Sequence, residues 1–445
     1  MWEGFSVDLK ETEPSYGPTE ACVENNSAEL FARRGTKWMS NDDLQAHLAA
    51  LLRLENVGVL LGAGASMERG LSGMTMSKLW EYFVSSFDSS YTWLIDEKFI
   101  APDAGTPNVE ELIDTLEIAR SEWFRQHKTR SLVKLDSARA DLQRAVIRAS
   151  LLNEGWWKDP TSVDNEESAL GSHRMLLYKL VSARQPGQPS PWVFTTNYDL
   201  AVEWAGESIG LKVSNGFDGL HNRTFAPHNF DLGYRNTLAR GEARFGTYNI
   251  YLVKLHGSLT WQLTKDGTSY VEHSAEHLWG LIDAFLKGDR ADGFPGPMVF
   301  PSAAKYTQTV GFVLGELLRR FTDVLARPQT CLITCGYSFS DEHLNRIIAS
   351  ALQNPTLQLV IYLPEAMRHC DKLDVSACRP WLKRIANLAS PQVTIVGGGD
   401  TAFFNAFVSH LPDPVIYDEQ AARIREMLQK RHEDASPATD SRGSL

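Results

Sequence analysis

Short, predominantly apolar runs constrain this chain more than any other feature of its sequence. Val57–Leu61, Trp192–Thr195, Tyr251–Leu255, Pro297–Phe300, Cys331–Cys335, Leu357–Tyr362 and Val393–Val396 are rich in Val, Ile and Leu. A strand with one wet face alternates apolar and polar residues, whereas a continuous run predicts a strand covered on both faces, hence a largely parallel sheet. Helix-like stretches such as Val310–Leu325 and Leu344–Leu352 separate several of the runs, as βαβ units require. The fold class this predicts is α/β: a Rossmann-like, doubly wound, mostly parallel sheet.

The interval from Thr75 to Leu180 is too long for one crossover and carries helical patterning at Val109–Phe124 and Leu132–Leu152. A large helical insertion is therefore expected over residues 75–190. Residues 1–46 read as a polar extension without clear periodicity. From Asp42-Asp43 onward Leu44, Leu48, Leu51 and Leu52 recur at helical spacing. The main domain is expected over 47–412, followed at 413–445 by a charged helix and a disordered tail too poor in apolar residues to order itself.

Composition narrows the function. The 445 residues are 43% apolar and 22% charged, as in a globular protein. A formal charge of −11 argues against a chain that coats nucleic acid directly, because phosphate binding needs clustered Lys and Arg. No stretch approaches the roughly 20 apolar residues that cross a bilayer. The opening Met1–Asp8 lacks the basic and then apolar signature of a signal peptide, so no membrane partner is expected and the cytoplasm is the expected compartment. Cys22, Cys331, Cys335, Cys370 and Cys378 are scattered, without Cys-x-x-Cys pairing, so no metal site is expected. Cys331 and Cys335 read as small apolar fillers of a buried strand.

Four of the runs lead at once into unusual small or polar residues. Val57–Leu61 opens into Gly62-Ala63-Gly64-Ala65-Ser66, and Trp192–Phe194 into Thr195-Thr196-Asn197-Tyr198-Asp199. Tyr251–Leu255 leads to His256-Gly257-Ser258, and Cys331–Cys335 to Gly336-Tyr337-Ser338-Phe339-Ser340-Asp341. A parallel sheet gathers all such turns at its carboxyl edge, where open α/β sheets bind ligands.

Each turn has a chemical reading and a structural one. Glycines at 62 and 64 let backbone approach a diphosphate at a helix N-terminus, or merely make a tight strand-to-helix turn. Met67 stands where a third fingerprint glycine is expected, and no Gly-Lys-Ser/Thr follows to suggest an ATPase. Asn197 and Asp199 can orient a sugar and a carboxamide, or Asp199 can cap the helix expected at Leu200–Ala205. His256 can serve as a general base near neutral pH, or be structural. Gly336 and Ser338 offer a turn for ribose or phosphate, while Ser340 or Asp341 reads as the cap of the next helix.

Together, and in this order, the four segments resemble the sirtuin-like superfamily between Val57 and Val396. Gly-Ala-Gly-Ala-Ser is similar to its first glycine motif, and Thr-Thr-Asn-Tyr-Asp to its Thr-Gln-Asn-Ile-Asp. Leu-His-Gly-Ser resembles its catalytic histidine motif, and Gly-Tyr-Ser-Phe-Ser-Asp lies where its Gly-Thr-Ser motif falls. Deacetylating sirtuins add a four-cysteine zinc module, but this chain has no cysteine between Cys22 and Cys331. They also carry Gly-Ile-Pro-Asp-Phe-Arg, which Gly70-Leu71-Ser72-Gly73-Met74-Thr75-Met76 does not match. The helical insertion and the Pro301–Tyr306 segment instead resemble bacterial sirtuin-like NAD hydrolases of antiphage defence, some of them partnered with a HerA-type ATPase.

The resemblance implies an NAD glycohydrolase that depletes NAD, with NAD as substrate and no further cofactor, assembled as a homo-oligomer. It implies that Asn197 positions the nicotinamide ribose or the water, that Asp199 binds the carboxamide, and that His256 acts as base. Gly62, Ala63, Gly64 and Ser66 would cradle the diphosphate, Gly336 and Ser338 would lie at the adenosine side, and Thr196 would also contribute to NAD binding. The alternative is a silent subunit that binds NAD or ADP-ribose and regulates or scaffolds a complex.

Overall fold

The computed structural model describes residues 29–67, 71–101, 109–164, 169–185, 187–234, 248–264, 268–289, 311–369, 371–413 and 423–430. The expected strand at Pro297–Phe300, the Pro301–Tyr306 segment, Cys22, Cys370 and the terminal tail lie outside these.

The strands are, in chain order, β1 (Phe31–Arg34), β2 (Lys37–Met39), β3 (Asn56–Leu61), β4 (Trp192–Thr195), β5 (Lys212–Ser214), β6 (Phe217–Asp218), β7 (Arg223–Phe225), β8 (Asn249–Lys254), β9 (Trp261–Leu263), β10 (Tyr270–Glu272), β11 (Thr330–Cys335), β12 (Gln358–Tyr362), β13 (Met367–His369), β14 (Lys372–Asp374) and β15 (Val393–Gly397). The helices are α1 (Asn41–Leu51), α2 (Met76–Ser86), α3 (Asp88–Asp96), α4 (Val109–Arg125), α5 (Thr129–Ser150), α6 (Glu154–Lys158), α7 (Gly171–Ser182), α8 (Ala201–Ser208), α9 (Ala275–Leu286), α10 (Gly311–Ala326), α11 (Glu342–Ala351), α12 (Pro380–Leu388) and α13 (Phe404–His410).

The main sheet has the order β2-β1-β15-β12-β11-β3-β4-β8-β5. From β15 to β5 every neighbouring pair is parallel. The chain starts this parallel block at β3, builds outward through β4, β5 and β8, then returns to the other side of β3 with β11, β12 and β15. This doubly wound α/β arrangement is the fold class the apolar runs predict.

Those runs are continuous because alternate side chains enter different cores. Val57, Val59 and Leu61 of β3 join Val193, Leu252, Cys331, Ile333 and Val360 on one face. On the other, Leu60 joins Trp192, Phe194, Val253, Leu332, Leu359 and Ile361. Neither face meets water, so neither needs polar residues. Cys331 and Cys335 are buried in this packing, and desolvation pushes the Cys331 thiol up to about 12.

One element escapes the periodicity reading. Within the stretch read as an extension, β1 and β2 form a hairpin that extends the sheet, with β1 antiparallel to β15 from Phe31 opposite Gly397 to Arg34 opposite Thr394. Three or four residues per strand are too few to display a period, and only Phe31 and Ala32 are buried. The helix after it begins where the sequence indicates. Ser40 and Asp43 form a reciprocal capping box that satisfies otherwise orphaned N-terminal amides of α1.

Between β3 and β4 the chain makes α2 to α7, so the helical insertion exists among the described residues. In α5, Leu135, Ala138, Leu142, Ala145, Val146 and Ala149 form the buried stripe, the spacing of one helix face. A small antiparallel sheet, β6-β7-β10-β9, grows from the β5 and β8 ends of the main sheet. Among the described residues no helix is long and apolar enough to cross a membrane.

Candidate functional site

The reversal of winding between β3 and β11 decides where the turns meet. Strands on either side of such a switch point send their following loops apart, and the crevice left at the carboxyl ends is the usual ligand position. Gly62–Ser66 follows β3 and Gly336–Asp341 follows β11, so both glycine turns flank this crevice.

Here they touch backbone to backbone. The Gly62 amide donates to Cys335 O at 3.1 Å and the Gly64 amide to Gly336 O at 3.0 Å. A Cβ at position 62 would lie 2.4 Å from Gly336 O, and one at 64 would lie 2.7 Å from Gly336 Cα. Gly336 has φ +66°, and its own Cβ would meet Ala65 N at 2.5 Å. The three glycines therefore permit turn-to-turn contact, and the amides of Gly62 and Gly64 are already committed to carbonyls rather than presented to a diphosphate. Ala63 lies in the short 3-10 turn Ala63–Met67 that follows.

Asn197 comes from the end of β4. The Thr195 hydroxyl accepts the Asn197 amide at 3.0 Å, and the Thr196 amide donates to Leu61 O at 3.1 Å, so this turn is stitched to the end of β3. The Asn197 Nδ2 donates to Gly62 O at 3.0 Å and to Ser66 Oγ at 2.8 Å. Ser66 Oγ in turn donates to Asp199 Oδ2 at 2.6 Å, and Asp199 Oδ1 accepts from Ala201 N at 3.0 Å. Ser66, expected to face a diphosphate, turns its hydroxyl to Asn197 and Asp199. Asp199, expected at the carboxamide, accepts from the backbone just ahead of α8, whose N-cap position is Leu200. Both are buried.

His256 follows β8 and is buried. Its Nε2 lies 2.9 Å from Asp341 Oδ2, with side-chain exposures of 8% and 14%. The same carboxylate caps α11, since Oδ1 accepts from His343 N at 2.8 Å and Leu344 N at 3.1 Å. Burial acts to raise the Asp341 carboxyl, but the hydrogen bond and charge of His256, with those two amides, outweigh it and hold the group below its ordinary value. Asp341 is thus anionic at neutral pH and can both orient the imidazole and stabilise its protonated form.

The turn that carries Asp341 is braced from below. Phe339 sits at φ +53°, where a bulky residue is strained. Asn345 Nδ2 donates to Phe339 O at 2.9 Å, and the ring stacks on Trp381 at 5.2 Å. Ser338 is exposed at the top of the turn, its Oγ donating to Ser340 Oγ at 3.1 Å.

The structure therefore brings Gly62, Ala63, Gly64, Ser66, Thr196, Asn197, Asp199, His256 and Gly336 to one crevice edge, with Ser338 on its outer rim. Asp341 is the functional candidate that sequence reading passed over. Its position ahead of a helix made a cap sufficient explanation, and one carboxylate serves both roles. Ser72 and Gly73 lie close to Ser66: a Cβ at Gly73 would meet Ser66 O at 2.0 Å, and the Ser72 amide and hydroxyl both donate to Leu152 O, at 3.0 and 2.7 Å. Leu152 follows α5 of the insertion at φ +63°, so the insertion is tied directly to Ser72, next to the Gly73 that packs on Ser66.

A search of curated proteins finds no match to the chain. Residues 191–382, which begin past the Gly62–Ser66 turn and include Asn197, His256 and Asp341, match the family model described as a SIR2-like domain, and this match supports a sirtuin-like family and an NAD-related activity for the chain.

Proposed function

We propose that the chain is an NAD glycohydrolase, releasing nicotinamide and ADP-ribose. The observation that carries this reading is the convergence of Asn197 with the His256–Asp341 pair at the switch-point crevice. A module that only bound a nucleotide would need neither a histidine backed by a buried carboxylate nor an amide fixed at the end of the neighbouring strand.

In NAD the nicotinamide is a cation and leaves neutral. The C1′–N bond breaks, its electron pair passes to the pyridine ring, and positive charge develops on the ribose. Water then forms the new C1′–O bond, and its proton goes to His256 and on to solvent. Catalysis consists of holding the ring, stabilising the ribose cation and presenting the water. Asn197 positions the ribose or the water through its carboxamide. Asp341 holds His256 in orientation and stabilises the imidazolium that forms. Ser66 and Asp199 keep Asn197 in place, and a free lone pair on the Asp199 carboxylate accepts from the nicotinamide carboxamide. We further propose that this activity serves antiphage defence by depleting NAD, in a homo-oligomer and with a HerA-type ATPase as partner.

One observation favours the second reading, an NAD-binding regulatory subunit without turnover: His256 and Asp199 are each only 6% exposed. Nicotinamide release from NAD by the purified protein, compared with Asn197→Ala and His256→Ala, decides between them. Release that disappears in both folded variants supports hydrolysis at this site. NAD-dependent thermal stabilisation without release, with or without a partner ATPase, supports the binding subunit.

A further inference from the structure

The last residue of β8 is a lysine set in an apolar run, Tyr251-Leu252-Val253-Lys254-Leu255, and it is 1% exposed. Burying an ammonium is unfavourable unless it is paired and hydrogen-bonded, and an apolar side chain would fill the same space without that requirement. The cation therefore calls for a reason beyond packing.

Its contacts supply one. Lys254 Nζ donates to the carbonyl of Asp199, to the carbonyl of Tyr198 at 3.4 Å, and to Glu203 Oε1 at 2.9 Å. Three ammonium protons thus meet three acceptors. Two of these acceptors are the backbone carbonyls immediately following Asn197. The ladder of α8 begins with Trp204 N donating to Leu200 O, so the Tyr198 and Asp199 carbonyls lie just ahead of it. The third acceptor, Glu203, stands in the first turn of α8 and neutralises the charge. Two residues beyond Lys254 comes His256, and the loop past it returns a further bond, Leu259 N to Tyr198 O at 3.1 Å.

We propose that Lys254 is a positioning residue that fixes the Asn197–Asp199 turn relative to His256. This rests on the reading of the crevice as a glycohydrolase site. Asn197 and His256 arrive on different loops, and the lysine ties the backbone of one to the strand that carries the other. Glu203 neutralises the lysine from within α8 rather than from either loop, which makes the two partners separable by experiment.

The test compares Glu203→Gln, the double variant Lys254→Met/Glu203→Gln, and the apolar pairing Lys254→Met/Glu203→Leu. Removing both charges avoids leaving an uncompensated carboxylate, so the doubles are the informative variants. Glu203→Gln removes the countercharge of the ammonium and is expected to lower stability, but its amide oxygen and both carbonyls still accept from Lys254, so the folded variant is expected to retain kcat for nicotinamide release. Each folded double variant is expected to lose roughly 10- to 100-fold in kcat with KM little changed, because a displacement near 1 Å is enough for such a loss. Doubles with unaltered kcat, or Glu203→Gln as impaired as the doubles, overturn the proposal.

Amide hydrogen exchange across residues 196–200 tests the same link without turnover. Exchange there is expected to quicken in the doubles and stay as in the parent protein in Glu203→Gln, with β11 protected throughout. Unchanged exchange in the doubles overturns the positioning role even if NAD is hydrolysed. Quickened exchange in a protein that never releases nicotinamide retains the Lys254 link while rejecting the glycohydrolase reading.

Discussion

His256 Nε2 and Asp341 Oδ2 meet at 2.9 Å although 85 positions separate them in the chain. The contact joins the loop after β8 to the turn after β11, across β4 and β3, and it places an anionic partner on the imidazole. Asp341 also holds the N-terminus of α11, so its two oxygens can be tested apart.

Asp341→Asn keeps a good N-cap but loses the negative charge beside His256. Melting temperature is expected to change little, while nicotinamide release falls on the order of 10² to 10⁴-fold, as when a base loses its orienting carboxylate. Asp341→Ala adds the loss of the cap, about 1 kcal/mol of stability. Turnover assays beside thermal melts of both variants check this; equal activity of Asp341→Asn and the parent protein would remove Asp341 from the mechanism.

Ser66→Ala deletes the hydroxyl that accepts from Asn197 and donates to Asp199. Asp199 is left with an unsatisfied buried oxygen, an expected cost of roughly 1–3 kcal/mol. Activity should fall as well, because of its two described bonds the Asn197 side-chain amide keeps the one to Gly62 O. Denaturant midpoints and initial rates measured together are the check. Lost stability with normal rates would separate this serine from the site.

The glycines should divide sharply. Gly64→Ala forces a methyl against Gly336 Cα and is expected to cost roughly 1–3 kcal/mol or more and to weaken NAD binding. Gly280, exposed on α9, where an added Cβ would meet nothing within 4 Å beyond the helix's own backbone, should behave oppositely. There alanine is expected to add about 0.5–1 kcal/mol through helix propensity. Thermal melts of the two variants, with NAD titrated into each, decide the matter.

His47 predicts a pH dependence unrelated to the site. On α1 its Nε2 lies 3.1 Å from Thr394 Oγ1 of β15, and burial, helped by the Arg34 charge, pushes the imidazole down to about 4. The unfolded chain takes up this proton near the ordinary 6.5, the folded chain only near 4, so stability falls as pH drops through that window. His47→Gln should flatten the dependence. Urea unfolding at several pH values between 4 and 7 measures it, and an equally steep decline in the variant would place the effect elsewhere.

What the sequence determined by itself was what short-range patterning can encode. Continuous apolar runs announced strands buried on both faces, and β3, β4, β8, β11, β12 and β15 lie on them. Their uniform parallel order followed from the helices between them, and the residues just past each run marked the carboxyl edge. The hairpin β1–β2 escaped because its strands are too short to show a period. Only the tertiary structure decided what the marked residues do there. A glycine reads the same whether its missing Cβ admits a phosphate or another turn; only the tertiary structure shows Gly336 packed directly on Gly62 and Gly64. An aspartate before a helix reads as a cap, and nothing local reveals that the second oxygen of Asp341 faces a histidine from another strand. Lys254 was visible as a charge in an apolar run, but its acceptors are carbonyls, which every residue possesses and no sequence pattern singles out. Pairing between side chains and backbone remote in the chain is set by strand order and distance, and these exist only once the sheet has closed around β3.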